Sequence, residues 1–143
     1  MGILVVSLSP CTVVALENEK QQNWYSVAEP DQADWSAKRV ANYTQYRRQQ
    51  GAVPRAILSI PSLNIQAAVF PDTLHGSLEA GVSWVSATAE PGSAGNVAIA
   101  GHRDSFFRKL EVIQIGMNIY LKTQDLSKHL QSSECKYRRC TGY

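Results

Sequence analysis

Residues 95–110 read GNVAIAGHRDSFFRKL, and the rest of the chain is organised around them. The stretch opens with an apolar run, Val97-Ala98-Ile99-Ala100, that stops at Gly101. His102, Arg103 and Asp104 follow in consecutive positions. Ser105-Phe106-Phe107-Arg108-Lys109-Leu110 then supplies two adjacent aromatics and a leucine. The pattern predicts a buried strand that ends, exposes a histidine at its mouth and turns into a short amphipathic segment. An imidazole held at a strand end by packed neighbours suits proton transfer near neutral pH. The same residues also suit a histidine that caps the strand and pairs with Asp104. Residue type alone leaves both readings open.

The longer motif, Gly95-Asn96-Val97-Ala98-Ile99-Ala100-Gly101-His102-Arg103-Asp104 with Ser105-Phe106-Phe107-Arg108 behind it, resembles the histidine strand and loop of bacterial sortases. These are cysteine transpeptidases of the cell envelope, and the version here is most similar to class D. Ala56-Ile57-Leu58-Ser59-Ile60-Pro61-Ser62-Leu63-Asn64-Ile65 resembles the family's opening strand and its Ile-Pro-x-Leu-x-Ile turn. Thr73-Leu74 with Glu79-Ala80-Gly81-Val82 resembles the segment before the family's PG-x-x-GN stretch, here Pro91-Gly92-Ser93-Ala94-Gly95-Asn96. The resemblance runs from about Trp35 to about Thr123 and then stops.

The resemblance implies a mainly β fold, a sortase-like closed β-barrel, preceded by an N-terminal apolar segment and one helix. It implies cleavage of a Leu-Pro-x-Thr-Gly sorting signal and transfer to an amine, in the bacterial cell envelope. In that chemistry a cysteine thiolate attacks the carbonyl and forms a thioacyl intermediate. His102 is the implied acid/base: it protonates the departing amine and deprotonates the incoming one. Arg103, Asp104, Gly101 and Asn96 are implied supporting residues, with Asp104 and Phe106-Phe107 holding the loop. The family's oxyanion arginine follows its cysteine, so Arg103 is not that group. The implied partners are a sorting-signal protein and an amine acceptor, with no cofactor and no metal.

The 143 residues suit one domain, and 44% apolar with 18% charged residues suits a globular chain. A net charge of +2 is too small to argue for nucleic acid. Its distribution is uneven. From Leu121 onward Lys122, Lys128, Lys136, Arg138 and Arg139 face only Asp125 and Glu134.

Residues 1–16, MGILVVSLSPCTVVAL, form an apolar signal- or anchor-like segment. A full span needs ~20 apolar residues, so the run is nearer a signal-peptide core, and a buried strand is its other reading. The resemblance favours export or membrane anchoring. Residues 17–50 divide into a polar linker and a helix that starts near Asp34, with Trp35, Val40, Tyr43 and Tyr46 on one stripe. Lys38, Arg39, Arg47 and Arg48 lie off that stripe, and the aromatics read as core packing. Residues 51–123 form the N-terminal half of the barrel. Residues 56–60 and 65–70 are strands around a turn, 73–80 give one or two helical turns, and 82–85 and 117–121 are further strands.

Residues 124–143, the basic tail, show no alternating strand pattern. They lack the Thr-Leu-x-Thr-Cys strand and the later arginine that the family carries, as a frameshift or truncation after Thr123 or Gln124 would produce. Cys135 and Cys140 have basic neighbours that favour the thiolate, but a reactive thiol is not a positioned one. With His129 they form at most a partial zinc set of unusual spacing. Cys11 lies in the apolar N-terminus. The expected product is therefore a half barrel, inactive as a transpeptidase, with exposed edges that lower its solubility. A non-catalytic envelope-anchored binding domain or an inert remnant is the alternative.

Overall fold

The computed structural model describes residues 2–8, 14–15, 27, 29–49, 53–71, 75–91, 93–114, 116–123, 128–129 and 134–139. The expectations for Cys11, Cys140, Thr73-Leu74 and most of the 17–33 linker fall outside the described residues.

The opening hairpin follows from local sequence. Strand β3 (Ala56–Ile60) and strand β4 (Ile65–Phe70) pair antiparallel, with Ile60 opposite Ile65. Pro61–Leu63 forms a single 3-10 turn between them, with the proline at its start, where no amide is needed. Asn64 closes the turn at a φ of 50°, a left-handed conformation that asparagine tolerates. Helix α2 (His75–Ala80) then carries the chain to strand β5 (Val82–Trp84), which runs parallel to β4. A parallel neighbour requires such a crossover. Strand β6 (Gly95–Gly101) returns antiparallel to β5, with Trp84 opposite Ile99.

Two differences from expectation concern the limits of elements. The strand placed at 117–121 is strand β7 (Tyr120–Thr123), pairing with β3. Gly116 stands at a φ of 93°, a conformation suited to glycine, so the turn extends further than the alternating residues suggested. Helix α1 (Ala37–Gln49) begins three residues after Asp34, because Ser36 Oγ accepts the Arg39 amide at 3.2 Å and caps it.

The larger difference is at the two ends. Gly2–Leu8, within the apolar run, forms strand β1 and pairs antiparallel with β6, Gly2 opposite Gly101 and Leu8 opposite Gly95. Of the readings its apolarity left open, the structure shows a strand, and Leu4 is fully buried. The tail, read as lacking strands, supplies two: β8 (Lys128–His129) pairs with β2 (Val14–Ala15), and β9 (Glu134–Arg139) pairs with β1. Backbone hydrogen bonding can enlist a segment without apolar alternation when a neighbouring edge is open.

The main sheet has seven strands in the order β7-β3-β4-β5-β6-β1-β9. Among the described residues it does not close: β7 and β9 are its outermost strands. The chain is thus mainly β, with a sortase-like incomplete barrel and one principal helix. β6, expected to lack cover, has β5 and β1 on its two flanks, and Val97 and Ile99 are fully buried. They join Leu58, Ile60, Val69, Val82, Leu110, Ile119 and Leu121 in one core.

The buried position of Leu4 makes β1 part of that core. Leu4→Ala is expected to lower stability by about 2–5 kcal/mol, as a large-to-small change in a packed interior does. Urea unfolding followed by tryptophan fluorescence measures this. An unchanged midpoint would show that β1 is not docked on β6.

Candidate functional site

The site stands where β6 ends. Loop residues before that strand are tied to it: Thr88 Oγ1 donates to the Val85 carbonyl at 2.7 Å and accepts the Ala98 amide at 3.0 Å. The Trp84 indole donates to the Ala89 carbonyl at 2.9 Å. At the strand's exit Gly101 is hemmed in. A Cβ there would lie 2.8 Å from Val82 Cγ1 and 2.9 Å from Phe107 Cδ2, distances too short for carbon atoms. The absent side chain lets Phe107 pack under the strand end.

His102 follows. Its carbonyl accepts the amides of Ser105, at 3.3 Å, and Phe107, at 3.1 Å, so the chain folds tightly back after it. The imidazole is one-fifth exposed, with Nε2 3.5 Å from Glu79 Oε1. That separation allows charge attraction but exceeds a well-formed hydrogen bond. Nε2 is buried and makes no formed hydrogen bond.

Glu79, near the end of α2, was quoted from the sequence only as part of a motif, and it is 2% exposed. Arg39, which the sequence places off the helical stripe, turns inward. Its Nη1 donates to Glu79 Oε2, and its Nη2 reaches Asp104 Oδ2 at 3.3 Å. An arginine–carboxylate pair spanning forty residues leaves no local pattern, so periodicity could not show it. The capping alternative for the histidine is not what the structure shows. Asp104, a largely exposed carboxylate, bonds Arg39, and the carboxylate beside the imidazole is Glu79.

The aromatic expectation for α1 holds. Trp35, Tyr43 and Phe106 meet edge to face, with centroids 5.0 Å apart for Trp35–Phe106 and 5.5 Å for Trp35–Tyr43. Phe106 belongs to the turn after His102, so this packing sets the helix against the histidine loop. Of the remaining supporting candidates, Arg103 is exposed. Asn96 is exposed and stands near the start of β6, where its carbonyl accepts the Ala89 amide at 3.0 Å. It lies six residues from the histidine, so β6 separates these two members of the set.

No cysteine of the described backbone stands beside His102. Cys135 on β9 faces Val6, four residues along β1 from Gly2, the partner of Gly101. At ~3.4 Å per residue and ~4.8 Å per strand, that is roughly 14 Å along the sheet and 10 Å across it. Arg139 is the β9 residue level with Gly2 and Gly101.

Burial holds the His102 pKa below its ordinary value of 6.5, and the Arg39 guanidinium adds to that effect; the carboxylates of Glu79 and Asp104 oppose it. The sign for stability follows. Above pH 6.5 the ring is neutral in both native and unfolded chains, and its contribution is complete. As pH falls below 6.5 the unfolded chain takes up the proton first, so stability drops until the lower native pKa is passed. Urea unfolding at pH 7.5 and pH 5 is therefore expected to show a smaller loss on acidification for His102→Gln than for the parent. Equal losses would show that this ring does not contribute.

Among the described residues, no helix is long and apolar enough to cross a membrane. No curated protein matches the chain. A family model described as the sortase domain matches residues 58–136, more than half of the chain, and runs past Thr123, where the resemblance read from the sequence stopped. With the histidine motif at the mouth of β6, that match shows that this chain belongs to the sortase family.

Proposed function

We propose that the chain carries the acid/base half of a sortase centre and does not complete transpeptidation by itself. The observation that carries the reading is His102, buried on one side and partly open on the other, at the end of the family's histidine strand. In sortase chemistry a thiolate attacks the carbonyl between Thr and Gly of a Leu-Pro-x-Thr-Gly signal. The C–N bond then breaks, and the departing amine takes a proton from the imidazolium. The thioester passes its acyl group to a second amine, which gives a proton back to the imidazole. Burial and Arg39 favour the neutral ring, the form that takes up this second proton.

Among the described residues, no thiol stands beside His102. No cysteine of the sequence follows a Thr-Leu-x-Thr segment. The register holds Cys135 far outside the ~3 Å reach that proton exchange with His102 needs. The substrates of the family reading are a sorting-signal protein and an amine, at the cell envelope.

A second reading has one observation in its favour. The sheet is open, with β7 and β9 outermost, and an open sheet can receive a partner's strand. In that reading the chain is a non-catalytic binding domain of the envelope.

A fluorogenic Leu-Pro-x-Thr-Gly peptide is expected to be cleaved no faster with the protein than in buffer. Turnover that vanishes in His102→Ala and in Cys135→Ala or Cys140→Ala would overturn the proposal. The binding reading predicts self-association or peptide capture in size-exclusion chromatography. A cooperatively melting monomer that captures no peptide counts against it.

A further inference from the structure

A buried carboxylate deprived of water must be met by charge or by hydrogen bonds. Glu79 is met from two sides. Arg39 of α1 takes Oε2, and Oε1 faces the Nε2 atom of His102 at 3.5 Å. That nitrogen is buried and forms no hydrogen bond as the ring stands. An acceptor oxygen therefore faces a nitrogen that forms no hydrogen bond.

We propose that Glu79, fixed by Arg39, is a positioning residue for His102: its Oε1 accepts a hydrogen bond from Nε2–H and leaves Nδ1 as the nitrogen that exchanges protons with reacting groups. The second half of this statement rests on the sortase reading; the Glu79–Nε2 contact does not.

The chemistry allows only one polarity. An ionised carboxylate is purely an acceptor, and a neutral imidazole has one donor nitrogen and one acceptor nitrogen. Placing the acceptor nitrogen against Oε1 would set two lone pairs face to face. The proton therefore belongs on Nε2, and a small ring rotation closes 3.5 Å to bonding distance, as apo sites commonly require. Arg39 has two effects here. It holds Oε2, so Oε1 stays aimed at the ring, and it offsets the carboxylate's charge, so the ring is oriented without becoming strongly basic. Among the described residues, the charged groups facing the imidazole are Arg39 from α1, Glu79 from α2 and Asp104 from its own loop. Burial and Arg39 disfavour the imidazolium, while Glu79 and Asp104 favour it. The Trp35–Tyr43–Phe106 packing fixes α1, and with it Arg39, against the loop that carries the histidine.

Long-range proton–nitrogen correlation spectra of the 15N-labelled protein read the tautomer directly, with the His102 signals assigned by their loss in His102→Gln. Above the titration range the Nε2–H tautomer is expected, and the Nδ1–H tautomer would overturn the proposal. Glu79→Gln is expected to move the His102 titration to lower pH, and Arg39→Gln to higher pH. Shifts of the same sign, or none, would also overturn it. If a variant does not fold, the parent's tautomer still decides. Peptide cleavage plays no part in these readings, so they stand or fall apart from the catalytic proposal.

Discussion

The carboxylate of Glu79 is the constraint around which the site is built. Removing an ionised group from water costs several kcal/mol unless charge and hydrogen bonds replace the lost hydration. Part of that replacement comes from Arg39 of α1, an element that belongs to no strand of the sheet. Breaking such a buried pair by removing one partner typically costs about 3–5 kcal/mol. The requirement to meet Glu79 therefore holds α1 in one place, and the aromatic contacts of Trp35 and Tyr43 with Phe106 agree with that place. A polar contact and an apolar one thus fix the same helix against the same loop.

The sheet supplies the other half of the geometry. Ladder pairing sets the level at which β6 ends, and Gly101 admits Phe107 beneath that end where any side chain would collide. The two amides that return to the His102 carbonyl make the turn short. The imidazole thus emerges from a backbone with little freedom, between a buried carboxylate and an opening to solvent. Pre-placement of this kind is what proton transfer requires, because reorienting the ring during reaction would add to the barrier.

Much of this was legible in the sequence because the signals were local. Ile60-Pro61-Ser62-Leu63-Asn64-Ile65 spells a turn between two apolar strands, and the structure places β3 and β4 on either side of it. The run at 97–100 with Gly101 and His102 behind it gave the central strand and its histidine. What stayed hidden depended on distant partners. Arg39 looks like any basic residue on the outer face of a helix until Glu79, forty positions later, is folded beneath it. Residues 134–139, ECKYRR, have the composition of a solvated tail, and only pairing with β1 makes them a strand. The apolar run at the start of the chain suits membrane, signal peptide and sheet alike, since apolarity alone does not say which apolar surroundings receive it.

The pairing of β1 with β6 joins segments about ninety residues apart, and that separation has a bearing on synthesis. At a ribosomal rate of ~5–20 residues per second, Gly2–Leu8 exists for roughly 5–20 s before Gly95–Gly101 is made. For that interval the apolar segment has no ladder to join. Any hydrophobic surface that meets the nascent chain in that time, whether chaperone, targeting factor or membrane, competes with a strand not yet synthesised. The same seven residues can thus meet two fates, decided by which partner arrives first.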